Sequence, residues 1–159
     1  MADRLLAVVR HARAGEAPGR PDIDRPLTSR GRRNAADAGT WLRDVGVSFD
    51  AVVCSTARRA RETWAELAGA SAAPEAVFER RVYDADPPTL LAVLGELPDE
   101  VVTAAVVGHN PGMHTLVALL TDSEMERFPT CAIALLDVTG GWGDLGAGSA
   151  ALRTLHLPR

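Results

Sequence analysis

The chain contains no lysine: all 17 of its basic residues are arginine. Together with abundant alanine and glycine, that bias looks like GC-rich coding, so arginine content alone says nothing about phosphate. Each arginine has to be justified by position, where a planar, permanently charged fork is needed. Cysteine is scarce as well. Cys54 and Cys131 stand far apart, which excludes a disulfide framework and a zinc-binding pattern and predicts two reduced, partly buried thiols. No apolar run has the length of a signal-peptide core or a membrane span, and the opening run stops at Arg10. A cytoplasmic location is therefore expected. Positive charge is not in excess: a formal net charge of −4 and a pI near 5.5 argue against nucleic acid or an anionic membrane as partner. Internal repeats, low-complexity tracts and interdomain linkers are also missing. What remains is a chain of 159 residues, 47% hydrophobic and 24% charged, which fits one domain over 1–159 with a real core.

The pattern along the chain is an alternation of strands and helices. Leu5 to Val9 reads as a buried strand and ends at Arg10-His11. Residues Ala14 to Pro26 have the Gly, Pro, Asp and Arg content of a loop, after which Thr28 or Ser29 caps a helix to about Val45. Asp50 to Cys54 is a second strand and Ala57 to about Gly69 a second helix. Ala76 to Phe78 is a short third strand, followed by a proline-opened helix, Pro88 to Leu97. Val101 to Val107 is the strongest strand and runs into Gly108-His109-Asn110-Pro111-Gly112, before a helix over Met113 to Leu120. Ala132 to Val138 and Ala151 to Leu157, joined by a glycine-rich loop, are expected to pair antiparallel. The alternation predicts an α/β fold with a mainly parallel sheet covered on both faces. Ligands of such sheets lie beyond the strand C-terminal ends.

Three polar segments occupy that position. His11 follows the first strand beside Arg10, and an imidazole nitrogen can attack phosphorus if fixed positive donors hold the phosphoryl oxygens. Ser55 to Thr63 follows the second strand with Arg58, Arg59 and Arg61 near a helix start, where arginine geometry suits bidentate phosphate binding. Arg58 and Arg61 read as an ordinary solvated helix face. His109 follows the third strand, with Gly108 permitting close backbone approach.

Other chemistries fail on register. A cysteine phosphatase needs Cys-x5-Arg, but six residues beyond Cys54 stands Ala60. A nucleophile elbow over residues 108–112 would carry Asn110 in place of serine. His109 and His114 are five apart and lack a carboxylate companion, which does not make a zinc motif. His114 and His156 are read as structural or surface residues.

Four segments in order, Val8-Val9-Arg10-His11-Ala12, Arg25-Pro26-Leu27-Thr28-Ser29-Arg30-Gly31, Ser55-x-x-x-Arg59-Ala60-x-x-Thr63 and Val107-Gly108-His109-Asn110-Pro111-Gly112, resemble the histidine phosphatase superfamily, specifically its short SixA-like phosphohistidine phosphatase branch. The resemblance implies a three-layer α/β/α sandwich of the phosphoglycerate mutase type, with an antiparallel sheet edge and no lid insertion. It implies His11 as nucleophile, with Arg10, Arg59 and His109 holding the phosphate and supplying the positive charge that a metal ion provides elsewhere; no metal or cofactor is expected. The implied partner is a phosphorylated substrate, a phosphohistidine protein foremost. A small phosphorylated metabolite, or a non-catalytic phosphate-binding regulatory module, is the alternative. Two positions depart from the family's common pattern: Ala12 stands for glycine and Thr56 for proline. Larger members carry an acidic proton donor on an insertion. Here Glu79, Asp84 and Asp86 are candidates by position alone, and the short branch lacks that donor, which suits a phosphoramidate whose nitrogen leaves readily once protonated.

Overall fold

The computed structural model describes residues 3–69 and 73–159. Six strands form one sheet: β1 (Arg4–Arg10), β2 (Ala51–Ser55), β3 (Val77–Glu79), β4 (Thr103–Gly108), β5 (Ile133–Val138) and β6 (Ala150–His156). Their order is β3-β2-β4-β1-β5-β6. The first four are mutually parallel, while β5 runs antiparallel to β1 and β6 antiparallel to β5. The expected antiparallel edge is the β5–β6 pair, reached through the glycine-rich loop. Among the described residues, four α-helices, α1 (Ser29–Asp44), α2 (Arg58–Ala68), α3 (Pro87–Gly95) and α4 (Gly112–Thr121), accompany these six strands. None of the described helices is long and apolar enough to cross a membrane.

Strand periodicity divides the interior in two. Along β1, Leu6 and Val8 point into one core with Leu90, Leu94, Leu116 and Leu120 of α3 and α4. Leu5, Ala7 and Val9 point into the other, with Ala35, Leu42, Trp64 and Leu67 of α1 and α2. Successive strand side chains face opposite ways, so one uninterrupted apolar run serves both faces of a central strand. The result is helix, sheet, helix in three layers. Cys54 and Cys131 lie wholly inside the second core, deeper than the partial burial expected, and desolvation pushes both thiols up to about 12.

Two local features bear on the strand exits. Thr28 caps α1 by accepting from the Gly31 amide at 3.0 Å, worth about 1 kcal/mol. The segment after His11 rests on that first turn: a Cβ on Gly31 would stand 2.2 Å from the Arg13 carbonyl oxygen, so only glycine fits. The loop before α1 is closed at its neck, where the Gly15 amide donates to the Pro26 carbonyl at 2.8 Å and Arg25 Nε donates to the Gly15 carbonyl at 3.0 Å. Beyond that neck the chain makes a single helical turn over Asp22–Asp24.

Candidate active site

The β1 exit is gripped from both sides. The His11 amide donates to the Gly108 carbonyl of β4 at 2.9 Å, and the Cys131 amide donates to the carbonyls of Arg10 and His11 at 3.1 and 3.0 Å. The ring is 9% exposed. Its Nδ1 lies 2.7 Å from the Ala12 carbonyl oxygen, which can only accept, so the proton is on Nδ1 and the Nε2 lone pair is free. Burial holds the imidazole down at about 4, assisted by the charges of Arg59, Arg10 and Arg25 and opposed by the Ala12 bond. His11 is thus neutral at neutral pH, the form a nucleophile needs.

The neighbouring backbone is tied to α2. The Ala12 amide donates to Thr63 Oγ1 at 2.9 Å, and the Thr63 hydroxyl donates to the Arg59 carbonyl at 2.7 Å. One buried threonine therefore fixes the segment after His11 relative to the turn that carries Arg59.

His109 closes the opposite side. Its ring centroid is 5.1 Å from that of His11, at an interplanar angle of 56°. Nε2 meets the buried Ser55 hydroxyl at 2.8 Å, and Nδ1 is buried with no hydrogen-bond partner among the described residues. Burial, then the neighbouring His11 and Arg59, hold this ring at about 3. In the free protein desolvation thus keeps His109 neutral, so the positive charge expected of it is not present there.

The arginines differ in burial and partners. Arg59 is 5% exposed. Its terminal nitrogens donate to the Asp22 carbonyl at 2.9 Å and to Asp22 Oδ2 at 3.0 Å, and its Nε is buried without a partner among the described residues. Arg10 reaches sideways to the Phe128 carbonyl at 3.2 Å, and among those residues its Nε is likewise buried and unpartnered. Arg58 pairs instead with Glu62 one turn along α2, at 3.1 Å, and Arg61 is exposed. Buried Arg59, half-buried Arg10 and the two buried imidazoles thus lie at one sheet end.

A sequence model of the histidine phosphatase superfamily (branch 1) matches residues 6–84, which span the exits of β1 and β2. An uncharacterized protein of Mycobacterium tuberculosis is 42% identical over 161 residues, covering 95% of this chain and all of that one. The chain belongs to the histidine phosphatase superfamily. Among solved structures, one assigned as phosphohistidine phosphatase SixA from Nakamurella multipartitia is 35% identical, covers 98% of this chain and 96% of its own, and superposes with a TM-score of 0.88. The protein histidine phosphatase SixA complexed with tungstate is 25% identical over 95% of each chain, with a TM-score of 0.83. These likenesses make the chain a phosphatase of this superfamily and its fold that of the SixA structures.

Within this histidine phosphatase the three acidic candidates fall in different places. Glu79 is taken by Arg81, which it meets through Nε at 2.9 Å and through its backbone amide at 3.2 Å. Asp86 caps α3, accepting from the Thr89 amide at 3.0 Å. Asp84, exposed and in a left-handed conformation at φ 53°, lines a 280 Å³ cleft beside His109 with Asn110 and Thr115. A larger groove of 540 Å³ between α1 and the end of β6 carries Asp37 and Asp44, the wrong sign for phosphate. His114 and His156 stay outside the site, the first bonded to the Met125 carbonyl and the second stacked on Trp41.

Two groups that no sequence pattern marks also touch the site: Asp22, in the loop before α1, and Tyr83. Tyr83 is the chain's single tyrosine; its hydroxyl donates to Asp22 Oδ2 at 2.6 Å and its ring meets His109 edge-on, centroids 5.4 Å apart. That singular tyrosine, four residues beyond β3, was the available signal.

Proposed function

We propose that residues 1–159 act as one histidine phosphatase domain whose His11 carries the phosphoryl group between a phosphohistidine protein and water. His11 Nε2 attacks phosphorus in line. The bond to the leaving nitrogen breaks, and its electron pair departs with that nitrogen. Water then attacks the phosphoryl-His11 intermediate, the electron pair returns to Nε2, and the water's proton goes to phosphate or solvent. Through both steps Nδ1–H stays on the Ala12 carbonyl, so His11 itself leaves as a neutral imidazole.

Arg10, Arg59 and His109 hold the equatorial oxygens in this scheme. Three buried nitrogens without partners among the described residues, Arg10 Nε, Arg59 Nε and His109 Nδ1, support it, since unpaired buried donors are costly and an oxyanion would satisfy them. With Ser55 donating to Nε2, His109 presents Nδ1–H as its donor. Tungstate bound to the SixA relative is an oxyanion of the same kind. The observation that carries the reading is the 5.1 Å approach of the two ring centroids, which puts both imidazoles at one site where they can flank the same phosphoryl group.

The test is turnover of a histidine-phosphorylated peptide by wild type and His11→Ala, with trapping of acid-labile phosphate on the protein. Wild type is expected to turn over and to label on His11, and the variant to do neither. Near-wild-type turnover in His11→Ala rejects the nucleophile assignment.

A further inference from the structure

The carboxylate of Asp22 is out of place beside a phosphate pocket, because it repels the dianion that the pocket is built to receive. It is nonetheless held firmly. Arg59 binds both its carbonyl and Oδ2, Tyr83 donates to Oδ2 at 2.6 Å, and Arg25 donates to Oδ1 at 3.2 Å. Its side chain remains 47% exposed, so it faces outward from Arg59 at the mouth of the pocket. The Tyr83 hydroxyl foremost, with the Arg25 and Arg59 bonds, holds the carboxyl far below the usual carboxylate range. With three donors on its carboxylate, Asp22 is held as the anion and is an acceptor, not a proton donor.

An anion at that place is useful to one kind of leaving group. From the geometry we infer that Asp22, aimed by Tyr83, forms a leaving-group subsite for a cationic nitrogen heterocycle, the phosphoimidazolium of phosphohistidine, and not for an alcohol. This rests on the reading of His11 as the nucleophile toward phosphohistidine.

Phosphohistidine carries phosphorus on one ring nitrogen, and protonation of the other nitrogen makes the ring a cation. When His11 Nε2 attacks, the P–N bond breaks and its electron pair returns to the ring nitrogen. The ring then leaves as neutral imidazole, its proton still on the far nitrogen. No acid has to reach the cleaved bond. What favours departure is an acceptor that keeps the far N–H protonated and in place, and a carboxylate does this with a charge-assisted hydrogen bond. An alkyl ester differs: its oxygen leaves as alkoxide unless a proton arrives at the bridging atom, and Asp22 has none.

Arg59 holds Asp22 through its terminal nitrogens and leaves for phosphate its buried Nε, which has no partner among the described residues. Phosphate and Asp22 therefore use different atoms of the same guanidinium, and the half-exposed carboxylate keeps lone pairs to spare for the substrate ring.

The experiment compares kcat/KM for a histidine-phosphorylated peptide and for p-nitrophenyl phosphate, whose leaving group needs no proton, in wild type, Asp22→Asn, Asp22→Glu and Tyr83→Phe. The ratio of the two values should fall on the order of ten- to a hundredfold in Asp22→Asn, the range for one charge-assisted hydrogen bond. It should fall less in Tyr83→Phe and be largely kept in Asp22→Glu, which retains the charge. Equal losses on both substrates in Asp22→Asn would show that Asp22 only orients Arg59, and would overturn the inference. Failure of the wild type on the phosphopeptide, with intact aryl phosphatase activity and His11 labelling, overturns the substrate reading and the subsite together; the Asp22→Asn ratio separates that result from failure of the subsite alone.

Discussion

Lowering the pH from 7 to 5 should weaken the fold through His11, and replacing that ring with asparagine should remove its share of the loss. In the unfolded chain the imidazole titrates at 6.5; in the fold, burial and the charges of Arg59, Arg10 and Arg25, against the Ala12 hydrogen bond, hold it at about 4. Proton counting gives the sign. Between those values the unfolded chain binds a proton that the folded chain refuses, so the stability is present above 6.5 and is lost as the pH falls toward 4. At pH 5 nearly all unfolded rings are protonated while about nine in ten folded rings are not, a difference worth about 2 kcal/mol for one ring. That is a large part of the ~5–15 kcal/mol that typically holds a domain together. His109, held at about 3, acts in the same direction and persists in the variant. Urea denaturation of wild type and His11→Asn at pH 7 and pH 5 measures the contrast. The loss on acidification should be about 2 kcal/mol smaller in the variant. Equal losses in the two proteins would refute the claim that His11 is kept neutral by burial.

Two further outcomes are expected. Arg59→Ala should lower kcat/KM on the order of 10²- to 10³-fold, by analogy with removal of one oxyanion donor, and Arg58→Ala and Arg61→Ala should rank well below it; steady-state kinetics that reverse this order would place the phosphate on the other face of α2. Thr63→Val, close in shape, strands the buried Ala12 amide and should cost about 1–3 kcal/mol together with a fall in kcat, read by thermal melts and kinetics on one preparation. An unchanged melting temperature would show that another group takes over the amide.

Strand exits were legible because each is a run of buried apolar residues that stops abruptly at a polar one. Val8-Val9 before Arg10-His11 and Val106-Val107 before Gly108-His109 name both the end of the strand and the side chain delivered there. The Thr28 cap and the antiparallel β5–β6 pair were readable for a similar reason, since capping and turn chemistry are local. Helix α3 was placed one residue late at its start because Asp86, not the prolines, sets the cap. The partners of the site were not local at all. Asp22 meets Arg59 37 residues away and Tyr83 61 residues away, and no periodicity in a Gly- and Pro-rich stretch reports which distant groups it will touch. The neutrality of His109 was equally hidden, since it depends on how much water the packed fold excludes from the ring.

The closed neck at Gly15 and Pro26 has a consequence for how such a protein diversifies. The segment between those residues, which carries Asp22, springs from a fixed base, whereas the backbone of His11 is fastened to strands on either side. Reaction chemistry and substrate choice therefore reside in separately replaceable pieces of chain: exchanging the nine residues inside the neck, from Glu16 to Asp24, would redraw which departing groups are welcomed without shifting the atom that attacks phosphorus.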